Sequence, residues 1–204
     1  MKPTTVAVIL CGALVSLTLA CSHRPADVVK AYEKAYNRGD LDKVLSLYAE
    51  DASFRVPGLI DLQGTEALRG LAEYDQALHT NLQFSQMDVR GDTVMCQVKE
   101  TNDWIETAGI SEAYYDGIIV VRRGLISAID AKFTPETDRA FRRTMVALME
   151  WARAERPELL SEMMPQGRFV YNAENANKNL SLLREYKQSV RRQAIQPGWE
   201  KLSE

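Results

Sequence analysis

The chain has 204 residues, enough for one domain with an appendage or for two small domains, and 46% of them are apolar, which excludes a disordered chain and supplies a core. Its net charge of −3, from 25 Lys and Arg against 28 Asp and Glu, leaves no broad basic surface to invite nucleic acid. Two histidines are too few for a histidine-built zinc centre or triad, and no phosphate-cradling glycine loop is present, so neither metal nor cofactor is expected.

The chain opens with Lys2 and an uncharged, mostly apolar run from Val6 to Ala20 that ends Leu17-Thr18-Leu19-Ala20-Cys21, the pattern of a secretory signal. The run is too short and too little flanked to favour a permanent span, which needs about 20 apolar residues. It resembles a bacterial lipobox, with cleavage after Ala20 and lipidation of Cys21; a plain signal peptide or an uncleaved anchor helix are the alternatives. Loss of residues 1–20 removes Lys2 and Cys11, giving a mature net charge of −4. With Cys21 lipidated, Cys96 stands alone without a disulfide; with Cys21 free, a Cys21–Cys96 bridge competes. Residues 21–25 then form a tether, and the expected location is the bacterial cell envelope, lipid-anchored and facing the periplasm or the exterior. Ser22 resembles an outer-membrane sorting residue.

After Pro25, Val28, Val29, Tyr32, Ala35 and Tyr36 recur at helical spacing, and Gly39 ends the helix. Asp40 caps a second helix through about Asp51, with Leu41, Val44, Leu45 and Tyr48 on one side, before a short strand from Ala52 to Val56 that Pro57-Gly58 breaks. A third helix runs from Thr65 to about His79 on the stripe Leu68, Leu71 and Leu78; His79 itself is expected to be a polar residue at a helix end. The period then changes to two. Two hairpins follow, with turns at Arg90-Gly91-Asp92 and Arg123-Gly124, so the fold class is α+β, helices on one face of a curved antiparallel sheet.

In the first strand after the Gly91 turn, Val94, Cys96, Val98, Glu100, Asn102 and Trp104 share one face by alternation. Either this face runs out of the core into water, or it lines a pocket that is apolar at its base and carries a few polar groups. Cys96, flanked by valines, reads as inert core.

The segments AYEKAYNRGDLD (31–42), LYAEDA (47–52) and GTEAL (64–68) resemble the nuclear-transport-factor-2-like superfamily, more narrowly its SnoaL-like and ketosteroid-isomerase-like branch, over residues 26–133. The resemblance implies a cone: three N-terminal helices in the concavity of a strongly bent sheet, around a cavity for a small, largely apolar ligand. It also assigns two candidate catalytic residues. Tyr32 on the first helix and Asp116 in the strand YYDGIIVV match the positions from which such isomerases donate hydrogen bonds to a developing oxyanion, the acid keeping its proton because an apolar pocket solvates the charge poorly. Each has a structural alternative, Tyr32 as a core residue with a satisfied hydroxyl and Asp116 as an acceptor for nearby backbone. The family's base, just before the closing proline, is replaced by Val56, with Glu100 as a substitute. Phe54, Val56, Glu100, Asn102, Trp104, Tyr114 and Ile118 are the candidate ligand-binding residues.

Residues 134–204 read as a helical C-terminal extension: a helix from Thr134-Pro135 with the stripe Phe141, Met145, Leu148 and Ala152, a short helix after Pro157 stopped by Pro165-Gln166-Gly167, and a last helix from Asn172 to about Gln193. It can brace the sheet from outside, lie over the pocket mouth, or form a homodimer contact. The functional expectation is binding of a small hydrophobic molecule without the usual isomerase chemistry. An isomerase, dehydratase or cyclase using Tyr32 and Asp116 is the alternative, and a protein-interaction module a third.

Overall fold

The computed structural model describes residues 24–195, without the side chain of Ile195. The apolar leader, Cys21 and Ser22 lie outside the described residues. The helices are α1 (Pro25–Asn37), α2 (Leu41–Ser46), α3 (Thr65–Ala77), α4 (Asp103–Ala108), α5 (Pro135–Glu155), α6 (Pro157–Met163) and α7 (Ala173–Ile195). The strands are β1 (Tyr48–Val56), β2 (Ile60–Gln63), β3 (Asn81–Arg90), β4 (Thr93–Thr101), β5 (Ala113–Arg122) and β6 (Leu125–Phe133).

Local chemistry sets the boundaries. Pro25, Pro135 and Pro157 each sit in the first turn of a helix, where the missing N–H costs nothing. Asp40 caps α2 by accepting from the Lys43 amide at 3.1 Å, and Asn102 caps α4 by accepting from the Ile105 amide at 2.8 Å. Arg123 and Gly124 both have positive φ, the geometry of a two-residue turn whose twist matches its strands.

The six strands form one sheet in the order β2-β1-β6-β5-β4-β3. It is mixed rather than wholly antiparallel, because β1 lies parallel to β6 while every other neighbour is antiparallel. Register shifts interrupt three of the pairings, in β3 around Gln86 at φ 51°, and such bulges bend a sheet. Three expectations change. The second helix stops at Ser46 and its expected last turn belongs to β1; Pro57-Gly58 is a hairpin turn returning through β2, not a stop; and the strand holding Trp104 ends at Thr101, with the indole carried on α4.

Two cores follow. One lies between α1, α2, α3 and the sheet and includes Val29, Val44, Ala52, Leu68, Val94, Ile119 and Ile126. The second is built largely by the extension: Leu148, Ala152, Leu160, Met163, Ala176, Leu180, Leu182 and Leu183 pack with Tyr74 of α3, with Leu78 at its C-cap, and with Trp104 and Ile105 of α4. The extension therefore packs on α3 and α4 beside the cavity rather than across the outer sheet face. Gly70 permits this approach, since a Cβ there would stand 2.5 Å from the Tyr171 carbonyl oxygen. The Lys187 ammonium closes the other side by donating to the Ala108 carbonyl at the end of α4, at 2.8 Å. No helix among the described residues is long and apolar enough to cross a membrane.

Candidate active site

Between the helices and the sheet lies a cavity of about 770 Å³. Its sheet wall is the inward side of the strands, with Phe54 and Val56 of β1, Phe84 of β3, Val98 and Glu100 of β4, and Tyr115 and Gly117 of β5. Its helical wall carries Tyr32 of α1, and Tyr74 and Asp75 of α3. Asn102 and Trp104 close one side, while α5, α6, α7 and the segment 167–171 close another. A volume in this range suits a small-molecule site.

Glu100 is held by two donors: the Tyr115 hydroxyl reaches its Oε2 at 2.6 Å and the Asn102 side-chain amide its Oε1 at 2.7 Å. Asp75 accepts a short hydrogen bond from the Tyr36 hydroxyl. Both carboxyls keep some accessible surface because they face the cavity, yet both are withdrawn from bulk water. Burial pushes Asp75 up to about 8, with the Glu100 charge adding in the same direction and the Tyr36 hydrogen bond opposing it. Burial also raises Glu100, but its two hydrogen bonds favour the charged form. Burial raises both carboxyls and each disfavours ionisation of the other, while the two donors on Glu100 favour its charged form, so of the two Asp75 holds a proton the more readily.

The Tyr32 and Tyr48 hydroxyls are 2.8 Å apart, and either can donate. With Tyr48 donating, the Tyr32 proton is free for a cavity ligand. Burial holds both phenols well above their ordinary value, so they stay neutral donors. The lining cation Arg168 and the acid Asp61 are both exposed, while the Trp104 indole N–H is buried and has no partner among the described residues.

Of the residues singled out in the sequence, the cavity brings together Tyr32, Phe54, Val56, Glu100, Asn102 and Trp104. It does not include Asp116, Tyr114 or Ile118. Asp116 is exposed, Tyr114 is 39% exposed and Ile118 46%, because Gly117 and Tyr115 take the inward face of β5. Register explains this: Gly117 pairs with Cys96 and Tyr115 with Val98, both inward residues of β4, so Asp116 opposite Gln97 points outward. The glycine is needed there, since a Cβ would stand 3.2 Å from both the Cys96 thiol and the Val98 side chain. The buried acid is instead Asp75, absent from the sequence-level candidates. Its signal was its place in the stripe Leu68, Leu71, Asp75, Leu78, an acid where helical spacing demands an apolar residue.

His79, exposed with φ 54°, pairs with Asp103 at 2.8 Å and plays no part in the cavity. Cys96 is buried, and burial pushes its thiol up to about 11, away from reactivity. Among the described residues no group of His, Cys, Asp and Glu is arranged to hold a metal ion.

A curved sheet wrapped on helices around an apolar cavity defines the class, a nuclear-transport-factor-2-like cone. Within it, the chain belongs to the SnoaL-like domain family, whose profile matches residues 28–154. Nothing among curated proteins matches the sequence. Among solved structures, the epoxide hydrolase/cyclase-like enzyme SalBIII of salinomycin pyran-ring formation aligns with a TM-score of 0.50 at 14% identity, over 58% of this chain and 97% of that one. An LEH-like epoxide hydrolase from M. tuberculosis aligns at 0.49 and 17%, over 62% and 95%, and an NTF2-like protein of unknown function from Cytophaga hutchinsonii at 0.46 and 15%, over 55% and 91%. At these identities the likeness speaks for the fold alone.

Proposed function

We propose that this protein binds a small, largely apolar carbonyl compound in the cavity and moves a proton on it by general acid–base catalysis, with Asp75 as acid and Glu100 as base. The observation that carries this reading is the pair of carboxyls, one on the helical wall and one on the sheet wall of the same apolar cavity, each fixed by a tyrosine hydroxyl, with Glu100 alone held by a second donor that favours its charge. Environments that separate two acids in this way assign their roles. The neutral Asp75 donates its proton to the ligand oxygen, with Tyr32 as second donor. Glu100 takes a proton from the adjacent carbon, which leaves an enol, and returns it at the same or another carbon while the enol proton goes back to Asp75. Asp116 has no role, and Tyr32 keeps the donor role its position suggested.

The test is exchange of the hydrogens next to the carbonyl of methyl heptyl ketone in D2O, followed by NMR. Glu100→Gln is expected to lower the enzyme-dependent rate by about 10²–10⁴, the usual worth of a positioned base, and Asp75→Asn to lower it and remove the alkaline limb of its pH profile. Exchange unchanged in both variants overturns the catalytic reading and leaves a binding protein.

The same proposal places this domain at the cell envelope, held through a lipid on Cys21 after removal of residues 1–20. The apolar run ending in Ala20-Cys21 supports it. Metabolic labelling with an alkyne fatty acid should mark the wild type and not Cys21→Ser; equal labelling of both refutes the anchor.

A further inference from the structure

The family profile ends at residue 154, yet the cavity wall does not. Near the profile's end, Phe141, Met145 and Met149 line it at intervals of four on α5, so the cavity follows that helix for two turns, about 12 Å. Met163 and Met164, at the end of α6, line it as well. Four of the seven methionines in the chain thus stand on one wall, all from the extension.

The polar groups lie elsewhere. Tyr115, which holds Glu100, stacks on Phe133 at 4.6 Å between ring centroids, and Phe133 meets Phe141 at 5.1 Å. This row of rings leads from the carboxyls to the methionine stripe. Asn179, the polar lining residue of α7, is already engaged, its amide donating to the Tyr74 hydroxyl at 2.7 Å. The Trp104 indole N–H, unpaired among the described residues and 5.1 Å from Phe141 between ring centroids, stands at the head of the stripe, and the thioethers beyond it ask no hydrogen bond of a ligand; being unbranched, they mould themselves to a flexible chain better than branched side chains do.

We infer that the ligand is an elongated aliphatic carbonyl compound, oxygenated at one end and hydrocarbon along the other. Its oxygen sits between Asp75 and Tyr32 with the adjacent carbon facing Glu100, and its tail lies along Met145, Met149, Met163 and Met164. The extension is then the specificity element of the site. This inference rests on the acid–base reading for the nature of the oxygenated end, but its tail can be tested without turnover.

The experiment is equilibrium binding, by calorimetry, of methyl butyl, methyl heptyl and methyl decyl ketones to the full chain and to Met149→Phe/Met164→Phe, with circular dichroism verifying the fold. In the wild type each methylene that reaches the wall should raise affinity about three- to fourfold. The stiffer, filled wall of the double variant should cost the decyl ketone about tenfold or more while changing the butyl ketone less than about twofold. Met149→Ala, which removes bulk without adding any, should spare the butyl ketone equally and so covers a failure of the double variant to fold. Affinity independent of chain length, equal losses for short and long ketones, or no binding of any of them overturns the inference. Length-dependent binding with no hydrogen exchange keeps the methionine wall and removes the acid–base reading alone.

Discussion

Asp75 is the residue on which the protein departs most from ordinary stability rules. A carboxyl held at about 8 in the fold and near its ordinary value of 3.8 in the unfolded chain binds its proton more tightly when folded. Its contribution is neutral below about 4, becomes a growing penalty as pH rises through the interval, and is complete above about 8. Denaturant unfolding should accordingly show the wild type losing stability between pH 5 and pH 9 relative to Asp75→Asn, by on the order of a few kcal/mol. A parallel pH dependence in the two proteins would show that Asp75 is ionised and well solvated in the fold. Asp75 and Asp116 also mark what the sequence revealed at this scale. The strand YYDGIIVV is apolar on both parities, so alternation leaves its face open, and only pairing with the unambiguous Val94-Cys96-Val98-Glu100 face decides it. Asp75 was legible as a single polar interruption of the α3 stripe. Its partner, ring-bearing Tyr36, became visible as one only when α1 and α3 were packed side by side.

Among the elements, the close contact of α3 with the extension yields a prediction whose sign discriminates between two effects. Alanine is a better helix former than glycine by about 1 kcal/mol, so local propensity alone makes Gly70→Ala stabilising. The Cβ, however, would meet the Tyr171 carbonyl at 2.5 Å, a backbone atom that cannot swing aside. Overpacking of this kind costs about 1–3 kcal/mol, and a net loss in thermal or denaturant stability is the expected outcome. A gain would mean that the segment 167–171 is not seated on α3. Elements with local signals were readable from sequence: α1, α5, α6 and α7 by apolar period and first-turn proline or capping pattern, and both hairpins by their glycines. The parallel β1–β6 pair was not, because strands so far apart in the chain are brought together by the bend of the sheet and not by any turn. Nor was β2, whose Ile60-Asp61-Leu62-Gln63 does alternate but over only four residues, too few to stand out beside a turn.

For the molecule as a whole, the consequence of two cores sharing α3 and α4 is that the extension should not melt separately. Tyr74 of α3 and its C-cap Leu78 belong to the second core while Leu68 and Ala72 of that helix belong to the first. Tyr74 meets Phe169 and Tyr171 edge-on, at 5.7 and 5.4 Å, so aromatic contacts bind that helix to the segment joining α6 and α7. Losing α7 would uncover Leu78, Trp104 and Leu148, each at most 4% exposed, which is too much apolar surface to leave in water. Unfolding followed by circular dichroism, dominated by the long helices α5 and α7, should therefore coincide with unfolding followed by the fluorescence of Trp104 in a Trp151→Phe/Trp199→Phe background. Two separated midpoints would show the extension to be an independent layer, and the cavity would then have a wall that can leave without unfolding the domain. Coincident midpoints would tie ligand access to motions smaller than release of the extension, at the rim between Leu59 and Arg168, where the Tyr171 hydroxyl reaches the Leu59 carbonyl across 3.4 Å.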